Sequence, residues 1–130
     1  MYTAVTRDIQ ITVMPQYLAD QSAPDEGRYV WAYTIEVANL GSRTVQLVAR
    51  HWVITDAAGK VETVSGLGVV GEQPVLNPSE TFRYTSGCPL STSSGVMQGH
   101  YRMVDDGGGS FDAAIPAFSL DCPHAKRVLN

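Results

Sequence analysis

Gly66-Leu67-Gly68-Val69-Val70-Gly71 is the first feature of this sequence that could do chemistry, because its spacing is that of the turn that cradles a dinucleotide pyrophosphate. Such a turn works only when a helix follows the last glycine and aims its N-terminus at the phosphates. Pro74 and Pro78 follow instead. They remove backbone donors and push Gln73 and Asn77 toward extended conformations, so the segment reads as a loop between strands. One chemical use survives, since glycines can expose successive backbone N–H groups as an anion nest and arginine grips phosphate bidentately. Gly66, Gly68, Gly71, Glu72 and Gln73, with Arg83 and Arg102 arriving from later strands, therefore form the candidate binding loop. Pyrophosphate or a nucleotide would be its ligand. A bulge or a close strand crossing demands the same glycines without any ligand, and that reading takes precedence.

The other reactive residue types form no constellation. His51, His100 and His124 are the only histidines, and no two share the spacing that presents a pair of imidazoles from one element to a metal. His51 reads as a residue of a packed strand and His100 as an outward neighbour of Tyr101. Asp105, Asp106 and Asp112 flank a triple glycine, but not at the spacing of a calcium loop, and read as a solvated turn. Residues 86–95 are rich in serine and threonine without a base to activate a hydroxyl, so they read as a hydrogen-bonded loop. Cys88 and Cys122 lack metal-ligand spacing and are expected to stay reduced. No catalytic residue, metal site or cofactor is expected.

The elements that must position these residues are strands. Ile9, Ile11 and Val13 alternate with polar residues in a strand expected to end at Met14-Pro15, and Tyr29, Trp31, Tyr33, Ile35 and Val37 share one face of a core strand. Residues 44–56 form a β-branched run too apolar for alternation to assign its faces. Asp56-Ala57-Ala58-Gly59-Lys60 turns it into a strand at 61–65, and further strands are expected at 81–85, 96–104 and 111–120. About seven strands, broken by Gly, Pro and Asp turns and with no amphipathic helix, imply an all-β sandwich. Its last ten residues read as a tail over the surface. At 130 residues the chain suits one domain over 1–130, and its 44% hydrophobic and 17% charged residues belong to a globular protein. Nine basic and thirteen acidic residues leave a net charge of -4 with no basic stripe, which disfavours nucleic acid. No apolar run reaches membrane-spanning length and no secretory leader is visible, so the cytoplasm is the expected compartment.

The stretch from Gly66 through Asn77-Pro78-Ser79-Glu80, Thr81-Phe82-Arg83-Tyr84 and Ser86-Gly87, on to Leu90, Thr92, Gly95, Met97, Gly99, Tyr101 and Met103, resembles the ApaG family. Arg50-His51-Trp52 with Thr55-Asp56, then Ile115-Pro116, Phe118, Leu120 and Leu129-Asn130, extend the resemblance over nearly the whole chain. One departure is Ser79, where the family carries glycine between proline and glutamate. The resemblance implies a fibronectin type III-like, immunoglobulin-like β-sandwich with no catalytic residues. It also implies an association with cobalt resistance and magnesium efflux, and protein recognition, because similar domains occur in F-box and polymerase-delta-interacting proteins. The expected function is thus a non-enzymatic module that binds an as yet unidentified protein partner. Small-anion sensing by the glycine-rich loop is the alternative.

Overall fold

Alternation governs most of the chain. In the computed structural model, which describes residues 1–123, the strands follow one another with no α-helix among the described residues. β1 spans Tyr2–Thr6, β2 Ile9–Tyr17, β3 Tyr29–Asn39, β4 Val45–Asp56 and β5 Val61–Leu67. β6 is the pair Val75–Leu76, followed by β7 at Thr81–Leu90, β8 at Ser94–Asp105 and β9 at Ser110–Asp121. β3 shows the period of two plainly: Trp31, Tyr33, Ile35 and Val37 are buried and their neighbours half-buried.

Among the described residues the count is nine rather than about seven, and the two additional strands have physical reasons for escaping notice. β1 joins β2 through a two-residue reversal in which Arg7 and Asp8 both take positive φ, 46° and 65°. Such turns usually announce themselves with Asn-Gly or Asp-Gly, and Arg-Asp carries no such mark. β6 is only two residues long. Two boundaries also move. β2 runs past Met14-Pro15 to Tyr17, because β1 ends opposite Val13 and leaves Pro15 on an edge that needs no donor. Ser86-Gly87-Cys88-Pro89-Leu90 is not a loop but the second half of β7, paired with β3, so only residues 91–93 turn the chain. Asp121 ends β9 and Cys122 is buried, its N–H donating to the Ser93 carbonyl at 2.9 Å. The rest of the expected tail, with His124 and Leu129-Asn130, lies outside the described residues.

One sheet has the order β1-β2-β3-β7 and the other β5-β4-β8-β9, with β6 also on β4. Their inner faces stack as a fibronectin type III-like β-sandwich around Trp31, Tyr101 and Phe118, with Trp52 set edge-on against Tyr33 and Phe118. The two sides of the sandwich differ. On one, β1 packs on β9, the Ala114 N–H donates to Thr6 Oγ1 and the Ser119 N–H to the Tyr2 hydroxyl. On the other, β5 and β7 hardly touch, and β5 is exposed at six of its seven residues. Cys88 and Cys122 are both free and buried. Among the described residues no helix is long and apolar enough to cross a membrane.

Asn39 ties the end of β3 to its surroundings. Its buried side chain donates to the carbonyls of Arg43 (2.7 Å) and Leu76 (3.0 Å) and accepts from the Gly41 N–H (3.0 Å). Its own carbonyl accepts from the Ser79 N–H at 2.8 Å, in a turn where Ser79 is held at φ 72°. A side chain in that left-handed region is strained by about 1 kcal/mol. Ser79→Gly should therefore raise stability by about 0.5–1 kcal/mol in chemical denaturation, net of the extra chain entropy that glycine brings to the unfolded state.

Candidate functional site

The glycine run is an excursion in an edge strand. β5 and β6 pair with the same edge of β4, end to end, and residues 68–74 loop out between Leu67, which lies opposite Ala49, and Val75, opposite Gln46. The register of β4 against β8 slips between Leu47 and Ala49, leaving Val48 as an extra residue. The Val48 carbonyl is taken by the Gly68 N–H (2.9 Å) and the Gln73 side-chain amide (2.8 Å). Gly68 is required twice over, by its φ of 65° and because a Cβ there would stand 2.3 Å from the Glu72 carbonyl oxygen. The Val69 and Glu72 N–H groups bond to each other's carbonyls across a reversal in which Val70 (φ 43°) and Gly71 (φ 80°) both lie in the left-handed region. Three of the loop's amides are thus committed within the protein, and Gln73 has a structural bond to β4, while Glu72 stays exposed.

The two arginines expected at this loop are elsewhere. Arg83 lies on the outer face of β7 and pairs with Glu36 at 2.6 Å. Arg102 lies on the outer face of β8 and pairs with Asp112 at 2.7 Å, holding that carboxyl below its ordinary range with help from the charge of His100. The cation that does meet the loop is Arg50. Its Nη1 donates to the carbonyls of Leu67 (3.1 Å) and Gly68 (3.0 Å), and its guanidinium lies over Gly66 so closely that a Cβ there would come within 2.9 Å of it. In the sequence Arg50 stands out only within the Arg50-His51-Trp52 part of the family resemblance. The slip in β4, which turns Arg50 and Trp52 together to the inner face that Val45 and Leu47 occupy before it, leaves no mark on hydrophobic alternation.

Arg50 stands in a cleft of about 660 Å³ on the open side of the sandwich. Tyr33, Trp52, Tyr84 and Met97 line it from the core, Val64 and Glu62 come from β5, and Ser86 and Cys88 from β7. At its base the hydroxyls of Tyr84 and Tyr101 are hydrogen-bonded, and burial pushes both phenols far above their usual range, so both stay protonated. Burial, then the charge of Glu62, raises the Cys88 thiol to about 11. The cleft therefore offers apolar and phenolic walls, one guanidinium and one carboxylate, with no nucleophile–base pair.

On the outer face of β4 and β8, strand pairing sets His51 directly opposite His100, with the rings stacked 5.2 Å apart. His51 Nδ1 shares a hydrogen bond with Ser65 Oγ at 2.7 Å, and His100 Nε2 is 3.8 Å from Asp112. This proximity arises across strands, which is why spacing along the chain does not reveal it. Among the described residues no group of three side chains is arranged to hold a metal ion. Asp105 caps its own turn by accepting from the Gly107 and Gly109 amides, both at 2.9 Å, and the Gly109 bond leads in holding its carboxyl below the ordinary range.

Comparison with known proteins agrees with this architecture. The family model of the ApaG domain matches residues 19–105. Proteins named ApaG from Xanthobacter autotrophicus and Beijerinckia indica are 62% and 61% identical to the chain, over the full length of both partners. A crystal structure of an ApaA protein from Bordetella pertussis superposes with a TM-score of 0.88 at 47% identity, covering 91% of this chain and 96% of that one. A second X-ray structure, 40% identical, gives 0.85 over 98% of this chain and 94% of its own.

Two outcomes follow from the cleft and its rim. In a Cys122→Ser background, Cys88 alkylation by iodoacetamide should keep rising about tenfold per pH unit up to pH 10, because the raised thiol stays protonated below about 11. At pH 8 it should be at least about a hundredfold slower than in the unfolded chain, where the thiol has its reference value of 9.0. Val70→Asn should raise the unfolding free energy by about 1 kcal/mol, since Val70 is 56% exposed and asparagine occupies the left-handed region more easily than a β-branched residue.

Proposed function

The chain belongs to the ApaG family, and we propose that it is a non-enzymatic β-sandwich module that acts in protein recognition, with the cleft between β5 and β7 as the binding site. The observation that carries this reading is the asymmetry of the sandwich: one side is closed by β1 on β9, while the other leaves aromatic side chains and a guanidinium within reach of a partner. A cleft with apolar walls and few convergent polar groups suits an inserted side chain or short segment. We place the module in the cytoplasm as a single domain, in keeping with its two free thiols. The metal phenotypes attached to the family are then indirect consequences of partner binding.

Sensing of pyrophosphate or a nucleotide is the second reading. Arg50 favours it, because both Nη1 hydrogens are used by carbonyls, whereas Nε and Nη2 bond to none of the described residues and are not buried. The committed amides of Gly68, Val69 and Glu72 weigh the other way. Absence of heat and of any thermal shift with millimolar pyrophosphate or ATP would remove it.

Partner capture from native extract tests the leading reading. Ser86→Arg, which fills the cleft from β7, should abolish it with stability changed by no more than about 1 kcal/mol, whereas Arg83→Glu on the outer face should leave capture intact. The same partners recovered at the same yield with Ser86→Arg would sink the cleft as the recognition surface.

A further inference from the structure

β5 ends on an edge with no strand beside it, and natural sheets usually blunt such edges with proline, lysine or a bulge. The neighbouring free edge, β7, carries Pro89. The sequence of β5, Val61-Glu62-Thr63-Val64-Ser65-Gly66-Leu67, contains none of these devices, and Leu67 is 78% and Val61 57% exposed.

Its residues match their own reversal. In an antiparallel pairing of two copies centred on Val64, Val61 meets Leu67, Thr63 meets Ser65, and Glu62 meets Gly66. The outer face of the pair would thus join apolar to apolar and hydroxyl to hydroxyl. On the inner face the place of a Gly66 side chain is filled by the Arg50 guanidinium, so Glu62 of one copy would meet Arg50 of the other. Among the described residues neither Arg50 nor Glu62 has an ion-pair partner within its own chain. Because each residue pairs with one of the same parity, backbone hydrogen bonding is consistent along the whole strand.

We propose that β5 is a homodimerisation edge, pairing antiparallel with β5 of a second copy about a two-fold axis through Val64, with Glu62 and Arg50 forming reciprocal ion pairs across the axis. The contact is isologous and closes on itself, so it yields dimers and not fibres. It merges the two β5-β4-β8-β9 sheets into one and sets both clefts on the same side of it, flanking the axis. The proposal goes beyond partner recognition by the cleft, which Ser86→Arg tests from the opposite wall.

Sedimentation velocity from about 1 to 500 μM should show a concentration-dependent monomer–dimer equilibrium, in the weak range expected of a small interface. Glu62→Lys sets like charges across the axis twice and should weaken dimerisation at least about tenfold while leaving the unfolding midpoint unchanged. Val64→Cys, which faces itself on the axis, should be trapped as a dimer by a short bis-maleimide, each thiolate adding across one maleimide double bond, whereas Val61→Cys should not. A chain that stays monomeric throughout this range overturns the proposal. So does a dimer indifferent to Glu62→Lys, or one trapped equally well through Val61→Cys, because its contact would lie elsewhere.

Discussion

A single extra residue in β4 decides what faces the cleft. Before the register slip the buried positions of this strand are Val45 and Leu47, and after it Trp52, so odd positions point inward first and even positions later. Without the slip His51 would face the core and Arg50 the solvent. With it, Arg50 pairs in register with Gly66 and Tyr101, and its charge is felt by the phenols of Tyr33, Tyr84 and Tyr101. A bulge leaves backbone groups without ladder partners, and the carbonyl of Val48 finds its donors in Gly68 and Gln73. The glycine excursion is thus the complement of the bulge: its amides satisfy β4 and its carbonyls hold Arg50.

That dependence explains which parts of the site could be read from the chain. Two prolines were enough to show that the glycine run lacks a following helix, and the need of a bulge for glycine was recognisable as a class of explanation. The bulge itself was not locatable, because residues 44–56 are apolar on both faces and a one-residue phase change in such a run alters no pattern. Arg83 and Arg102 were placed near the loop on sequence order alone, and strand pairing sends them to outer faces with Glu36 and Asp112. Arg50 and Glu62, four register positions apart along β4 and β5, acquire their relation only through the pairing of Ile54 with Glu62 and of Arg50 with Gly66. The stacking of His51 on His100 is invisible in one dimension for the same reason.

The fold was more legible than the site, since burying one face of a strand writes its period directly into the sequence. β3 and the first half of β2 alternate because both lie in the middle of a sheet with one face on the core. The edge strands were the ones missed or shortened. β1 has no fully buried residue, and the second half of β7 carries Ser86, Gly87 and Pro89, composition that ordinarily marks a loop. Tertiary pairing with β3 overrides it.

Edges also explain why the sandwich is open on one side only. β1 and β9 approach closely enough for side-chain hydroxyls on β1 to accept from amides of β9, which consumes groups that would otherwise invite another strand. On the opposite side the guanidinium of Arg50, anchored on the loop carbonyls over Gly66, occupies the inner face where β5 would have to close onto β7. Closing that gap would bury a guanidinium that has no carboxylate within ion-pair reach, a cost of several kcal/mol that apolar contact from Val64 alone, worth about 1–2 kcal/mol, does not offset. The charge that defines the cleft is therefore also what keeps it open, and the glycine opposite it has to remain a glycine for both reasons.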